Sequence, residues 1–224
     1  MRISRLTAGL VTAGLIGFVP IAVSAPADAA TTVATTTVVT VSDTQPVPYG
    51  EELSISSQTL DSTGASAYSG TSTLQVYSAA NPVWTTIATD DTPGYASFDG
   101  VLATATSQYR VLYGGYANPS TSSTAKSYTA SESAPVGVSV VRNVKLKTSG
   151  LKVIGKVSPL FSKEKVKVLK KVGKKYKKYT TVKSDKKGKF SFRAPRKNKF
   201  RFALVIPGDA QFAPVINYYI VHVY

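Results

Sequence analysis

The sequence predicts an all-β protein in which two tandem antiparallel β-sandwiches follow a cleaved signal peptide. Three observations support this fold class: two halves of the chain repeat one pattern of apolar residues, these residues alternate with polar ones, and glycine and proline interrupt the alternation at short intervals. The chain has 224 residues. Without a signal peptide it still has room for two domains of about 100 residues, each able to bury a core.

The first element is the amino-terminal segment, residues 1–29. Two arginines in "MRISR" precede an apolar run from Leu6 to Val23, and small residues ending in Ala27 and Ala29 follow it. We expect cleavage after Ala29 and a secreted protein. A retained membrane anchor is the less favoured alternative, because Pro20 and the small-residue exit are typical of a cleaved signal. No second apolar stretch approaches the ~20 residues of a spanning helix, so we expect no membrane span in the mature chain.

The second element is a division of the chain by charge. Residues 30–135 contain eight acids and two bases, a net charge of −6, whereas residues 136–224 contain three acids and 23 bases, a net charge of +20. We therefore expect an acidic sandwich over residues 30–133, a linker over 134–137 and a strongly basic sandwich over 138–224. Cysteine is absent, so packing alone must hold both domains.

The third element is the internal repeat. Residues 74–98, "LQVYSAANPVWTTIATDDTPGYASF", match residues 166–192, "VKVLKKVGKKYKKYTTVKSDKKGKFSF". This alignment sets Leu74 on Val166, and it sets Trp84 and Ile87 on Tyr176 and Tyr179. A period near 92 residues is too long for a solenoid repeat and indicates two copies of one domain.

Each copy reads as about seven short strands. In the second copy apolar residues alternate with lysine or small polar residues, as in Val166 and Val168, Phe190 and Phe192, and Phe200 to Ile206. Short strands with turn signals at this spacing are typical of an immunoglobulin-type sandwich. A single barrel spanning both copies is the weaker alternative, because the segment "SESAPVG" interrupts them.

The segment from Tyr176 to Phe192, "Y-x-x-Y-x-x-V-x-x-D-x-x-G-x-F-x-F", followed by Phe200 to Phe202, resembles a known family. It is similar to the immunoglobulin-like repeats of proteins secreted by high-GC Gram-positive bacteria. That family usually has tryptophan at the position of Tyr176, as the first copy has at Trp84. The resemblance implies a fold and an extracellular setting, and it implies no catalytic residue.

The most distinctive segment is "KKVGKKYKKYTTVKSDKKGK", residues 170–189, with ten lysines and one acid. Its match to the first copy favours a folded hairpin with a cationic outer face over a disordered arm. We expect Trp84 and Tyr176 to pack in the two cores, because a large aromatic stands at the same position in both copies, whereas Tyr179 breaks the alternation unless a bulge intervenes. The candidate polyanion-binding residues are Lys170, Lys171, Lys174, Lys175, Lys177, Lys178, Lys186, Lys187 and Lys189.

Enzymatic functions find little support. The chain has one histidine, His222, in an apolar final segment, and "GASAYSG" lacks the second glycine of a serine nucleophile elbow. The carboxylate pairs Glu51-Glu52 and Asp90-Asp91 lie beside turn signals, which favours solvated turn residues over catalytic or calcium sites. We therefore expect a protein that is not an enzyme and has no catalytic residues, metal ligands or cofactors.

The basic half is the feature that indicates a function. A surface adjusted for solubility mixes its charges, whereas this half carries one sign and should attract polyanions. We expect a secreted binding or structural protein that docks on anionic cell-wall polymers or other polyanions, released or wall-associated, with a possible protein partner for the acidic domain. The alternatives are a carbohydrate-binding module that uses Tyr113 and Tyr116 as a sugar platform, and a spacer or adhesion subunit.

Overall fold

The computed structural model describes residues 30–43, 45–120, 122, 124–197 and 199–222, and the predicted signal peptide lies outside this part. The described residues contain nineteen strands and no helix. Accordingly, they contain no helical segment capable of crossing a membrane.

The first sandwich packs a sheet of order β2-β4-β7 against a sheet in which β10 and β11 pair with β8, followed by β5 and β6. Short parallel pairs, β1–β9 and β3–β12, complete it. Its strands are β1 (Thr31–Val33), β2 (Thr35–Val41), β3 (Val47–Pro48), β4 (Ile55–Asp61), β5 (Ser72–Ser78), β6 (Asn81–Asp90), β7 (Ala96–Phe98), β8 (Ser107–Tyr113), β9 (Lys126–Tyr128), β10 (Ser131–Glu132), β11 (Val136–Val138) and β12 (Val140–Val141). Ile55, Leu74, Phe98 and Val111 form part of its buried core.

The second sandwich has seven strands in two antiparallel sheets, β13-β14-β17 and β16-β15-β18-β19. Its strands are β13 (Asn143–Ser149), β14 (Lys152–Ser158), β15 (Lys165–Val172), β16 (Lys175–Lys183), β17 (Lys189–Arg193), β18 (Phe200–Ile206) and β19 (Val215–Val221). The alternating apolar residues meet between the sheets, where the Phe202 ring packs against Phe192 at 5.3 Å and Phe200 at 5.6 Å. The prediction of tandem immunoglobulin-like sandwiches is confirmed.

The hairpins β5–β6 and β15–β16 carry a bulge at the same place. The pairing shifts after Leu74 in the first copy and after Val168 in the second, which leaves Ile87 and Tyr179 unpaired at equivalent positions. The repeat therefore aligns Trp84 with Tyr176 correctly. The sequence alignment places β5 two residues away from its true equivalent in β15. Between the turn and the bulge β6 has two more residues than β16, so the strand registers match Leu74 with Val168 and not with Val166.

The prediction that Trp84 and Tyr176 lie in the two cores is wrong. Both side chains are half-buried on the outer face of their sheet: Trp84 lies 4.3 Å from the Arg110 guanidinium carbon, and Tyr176 lies 5.1 Å from Tyr218 between ring centres. Strict alternation would turn Tyr176 inward, but the bulge at Tyr179 shifts the side-chain order by one residue and reverses it. Tyr179 packs against the core instead, 5.5 Å from Phe200.

The two sandwiches share a packed junction. β11 pairs with β8 and β12 pairs with β3, so strand pairing of the first sandwich continues through residues 134–137, which we expected to form a linker. The sequence did not reveal this pairing, because a segment that contains serine and proline does not show which strand it will join. In return, the β18–β19 connection places Phe212, which is 1 % exposed, in the core of the first sandwich. Arg142 is buried beneath it, with its guanidinium carbon 4.3 Å from the Phe212 ring and its Nε donating to the Pro159 carbonyl.

Candidate polyanion-binding surface

All nine predicted polyanion-binding lysines are exposed, but they form two groups. The hairpin β15–β16 carries Lys170, Lys171, Lys174, Lys175, Lys177 and Lys178, and the turn between β16 and β17 together with the start of β17 carries Lys186, Lys187 and Lys189. The strand β16 separates the groups, and its nine residues extend over roughly 30 Å. The sequence predicted that these nine lysines form one cationic surface on a single hairpin, whereas the structure places them in two cationic regions at opposite ends of the domain.

The first region includes a groove at the end of the domain away from the junction. The groove has a volume of about 530 Å³ and lies between the β15–β16 hairpin and the segment that enters β18. Its cationic lining is Lys170, Lys171, Lys197, Lys199 and Arg201. Antiparallel pairing of Lys170 with Phe202 brings these two parts of the chain together. The sequence analysis missed Lys197, Lys199 and Arg201 because that pairing is not visible in a linear charge pattern.

A second cationic surface covers the outer face of the sheet β13-β14-β17. Lys145, Lys156 and Lys189 lie directly opposite one another on the three strands. Four residues further along β14 and β17, Lys152 lies opposite Arg193. We call this surface the lysine face; it consists of Lys145, Lys147, Lys152, Lys156, Lys189 and Arg193. Only Lys189 of this set was among the predicted binding residues.

No acidic side chain pairs with the lysine face within the described residues. The ion pairs of this part of the chain are Arg110–Glu132, Lys126–Asp61 and Arg142–Asp209, and none involves the face. Like charges directly opposite each other in a sheet are destabilising, so the lysine face costs the domain stability. An external anion would relieve this repulsion.

Two of the three acids of the basic half, Asp185 and Asp209, serve local structure. Asp185 accepts hydrogen bonds from the backbone amides of Lys187 and Lys189 at 2.7 and 2.9 Å, which shape the turn before β17. The bond from Lys189, followed by that from Lys187 and the charges of both lysines, outweighs desolvation and lowers the pKa of Asp185. Asp209 pairs with Arg142 at the junction and binds the backbone amides of Gln211 and Phe212. Asp185 attracts Lys189 without forming an ion pair, and Asp209 pairs with Arg142 at the junction, so neither carboxylate is ion-paired with the lysine face.

The bases of residues 30–135, Arg110 and Lys126, both form ion pairs with acids of the first sandwich. The carboxylates of the predicted turn residues bond within the fold: Glu52 accepts from the backbone amide of Gly100, Asp90 from that of Thr92, and Asp91 from the Thr71 hydroxyl. Among the described residues no three His, Cys, Asp or Glu side chains lie together as metal ligands.

The predicted sugar platform is not present as such. Tyr113 is 1 % exposed and its hydroxyl donates to the Ser69 carbonyl at 2.5 Å. Tyr116 is half-buried against the small cluster of Tyr113, Tyr128 and Ala67. A tyrosine buried in this way cannot present its ring to a sugar, so Tyr113 is excluded from such a role.

Comparison with protein-family models and with curated proteins finds no match. Solved structures resemble the chain in fold. A two-domain fibronectin type III segment of chicken tenascin has 13% identity and a TM-score of 0.37 over 82% of this chain and 97% of that chain. A tetra-tandem repeat from the extending region of a large adhesion protein has 11% identity and a TM-score of 0.30, covering 86% of this chain and 49% of that one. A marsupial T cell receptor has 14% identity and a TM-score of 0.31, covering 82% and 61%. At these values the similarity bears on neither ligand nor activity.

Proposed function

We propose that the protein is a secreted, non-enzymatic binding protein that docks electrostatically on anionic cell-envelope polymers through its second sandwich. Tandem immunoglobulin-like sandwiches form structural and adhesion-type modules, and the charge of the second one supplies the means of attachment. The proposal has one main support: the lysine face sets cations opposite one another on three strands, with no acidic partner in the described part of the chain.

The chemistry of the cations favours a polymer that is recognised by its charge. Of the 23 bases in residues 136–224, 19 are lysines. A lysine ammonium is a hydrated point charge, whereas arginine offers a planar fork that binds one carboxylate or phosphate in a fixed geometry. The surface therefore suits diffuse attraction to a repeating polyanion. Wall teichoic and teichuronic acids have this character and are the envelope polymers we propose.

Binding of the full chain to an immobilised anionic polymer, measured across a salt series, tests the proposal. If six cations neutralise polymer charges, affinity should fall by about a thousandfold between 50 and 200 mM salt, by analogy with duplex DNA. Replacing Lys145, Lys156 and Lys189 together by glutamine should weaken binding to every polyanion and reduce the slope of log affinity against log salt by about 2 to 3.

A control variant separates the lysine face from total charge. Thr36→Glu, Gln58→Glu and Thr89→Glu change three exposed residues of the first sandwich and lower the net charge by the same three units. We expect this control to bind nearly as the parent does. Equal loss in both variants would contradict attachment through the lysine face, and salt-independent retention on a neutral polysaccharide would contradict electrostatic docking altogether.

A further inference from the structure

The strand β19 forms an edge of the second sandwich that lacks the usual protection against pairing. Among the described residues β19 pairs with one strand, β18. Its seven residues, "VINYYIV", include no charge, no proline and no glycine. Its outward side chains are apolar and exposed: Ile216 by 49 %, Tyr218 by 63 % and Ile220 by 51 %. An exposed uncharged edge of this length is a template for another strand.

Three other edge strands of the molecule, β16, β6 and β13, carry protective features. The opposite edge of the same sheet, β16, has four lysines and the bulge at Tyr179. In the first sandwich, the edge strand β6 of the larger sheet contains Pro82 and the bulge at Ile87. The strand β13 carries Lys145 and Lys147. Lysine, proline and bulges are the features that keep edge strands from associating, and β19 has none of them.

We propose that β19 is a homodimerisation edge, which pairs antiparallel with β19 of a second copy around a twofold axis at Tyr218. The sequence of the strand is nearly palindromic, so pairing about its central residue sets Ile216 opposite Ile220 and Val215 opposite Val221 of the second copy. A twofold interface requires such a self-complementary surface. The two four-stranded sheets would become one sheet of eight strands.

The distribution of charge over the sheet permits this pairing despite the net charge of the domain. The strands β15 and β16 carry eight lysines, whereas β18 carries Arg201 alone and β19 carries no charged residue. In the dimer five strand spacings, about 24 Å, separate the two copies of β15. This distance exceeds the Debye length of about 8 Å at physiological salt, so repulsion between the lysine-bearing strands is largely screened.

The same face is already partly apolar in the monomer. The rings of Tyr218 and Tyr176 lie 5.1 Å apart, and Ala203, which is paired with Tyr218, is fully buried although it lies on the outer side of β18. Pairing of β19 would extend this apolar surface across the twofold axis. Two basic domains would then approach a polymer together, and linked binding sites increase avidity without a new contact.

Sedimentation equilibrium of the full chain over a range of concentrations, at low and at high salt, tests the proposal. We expect a dimer that persists at high salt, because apolar contacts and backbone hydrogen bonds hold it. Tyr218→Lys should give a monomer, since the side chain is exposed and the change places two ammonium groups opposite each other. The control Val83→Lys adds the same charge at an exposed apolar position, 62 % exposed, on the edge strand β6, and should leave the dimer intact. A monomeric parent, or a Tyr218→Lys variant that still dimerises, would overturn the proposal.

The register can be tested separately because the chain contains no cysteine. Directly opposite residues of an antiparallel pair have Cβ atoms about 4.5–5.5 Å apart, close to the reach of a disulfide. A mixture of Ile216→Cys and Ile220→Cys chains should therefore cross-link mainly as the mixed dimer on mild oxidation. Val83→Cys chains should stay uncross-linked under the same conditions. A preference of Ile216→Cys chains for their own kind would exclude the twofold axis at Tyr218.

Discussion

Asp61 is a buried carboxylate at the end of β4, and its contacts require that it be ionised. It accepts hydrogen bonds from Lys126 Nζ at 2.7 Å and from the hydroxyl and backbone amide of Thr63 at 2.6 and 2.9 Å. The Lys126 bond, followed by the Thr63 hydroxyl, lowers the pKa of Asp61 despite desolvation. Lys126 begins the strand β9, so this ion pair connects β4 to the small β1–β9 pair.

We predict that acid weakens the first sandwich through Asp61. A carboxyl group whose pKa is lower in the folded than in the unfolded state stabilises the fold fully above its unfolded pKa, about 3.9, and loses this contribution as the pH falls toward the folded value. The free energy of unfolding should therefore be steady from neutral pH to about pH 5 and decline below about pH 4. Trp84 is the only tryptophan and lies in the first sandwich, so its fluorescence follows this transition.

The variant Asp61→Asn isolates the contribution of this one group. It should be less stable than the parent at pH 7, and the difference should shrink as the pH falls below 4, because protons then bind to the unfolded parent, in which Asp61 has its ordinary pKa, and stabilise the unfolded state. A difference that stays constant down to the most acidic conditions would show that the ionised carboxylate does not stabilise the fold.

At the scale of a strand, the middle of the lysine face carries a cost that can be measured. Lys156 lies on β14 between Lys145 and Lys189. Replacing it by glutamine should raise the free energy of unfolding of the second sandwich by about 0.2–1 kcal/mol at low salt, because it removes two like-charge pairs. The gain should disappear at high salt, which screens the repulsion. Denaturant unfolding followed by far-UV circular dichroism measures both effects.

The control for this experiment is Lys167→Gln. Lys167 is also exposed in the middle of a sheet, but its neighbours on β16 and β18 are Thr181 and Val205, which are uncharged. The same substitution should change stability little there. Equal stabilisation in both variants would mean that the effect comes from the net charge of the domain rather than from the opposed lysines.

The strands illustrate what the sequence could and could not predict. Alternation of apolar residues predicts the core-facing positions of β15, β17 and β18, because the two-residue period is a local property. It fails on β16, where a single bulge residue, Tyr179, reverses the side on which Tyr176 emerges. The lysine face was not predictable in the same way, because its members become neighbours only through the registers of β13, β14 and β17.

For the molecule as a whole, the junction determines whether the two sandwiches behave as one unit. Phe212 belongs in sequence to the second sandwich and in packing to the first, where its ring lies 6.1 Å from that of Tyr49. Arg142 fills the space between this ring and Phe161 of the second core. The stability of the first sandwich therefore depends on a side chain that the second sandwich supplies.

We predict that Phe212→Ala destabilises the first sandwich, although the residue lies some 70 positions beyond its last strand. Truncating a fully buried phenylalanine costs about 3–5 kcal/mol, which is a large part of the 5–15 kcal/mol of a typical domain. Denaturant unfolding followed by Trp84 fluorescence should show this as a lower midpoint.

Phe190→Ala is the matched control, because Phe190 is equally buried but packs in the second core. Phe190→Ala should mainly destabilise the second sandwich and shift the Trp84 transition less than Phe212→Ala does, because Phe212 packs directly in the first core. A larger shift of the Trp84 transition in Phe190→Ala than in Phe212→Ala would show that Phe212 does not stabilise the first core.

The position of Phe212 also restricts how such a protein can be taken apart. Cutting the chain between the sandwiches would leave the first with an open cavity and the second with the apolar side chain of Phe212 in water. Each half would therefore be less stable alone than within the full chain. A fusion protein that contained the basic sandwich alone would keep the β18–β19 connection but would lack the first core, in which Phe212 packs. The two sandwiches are therefore portable only together.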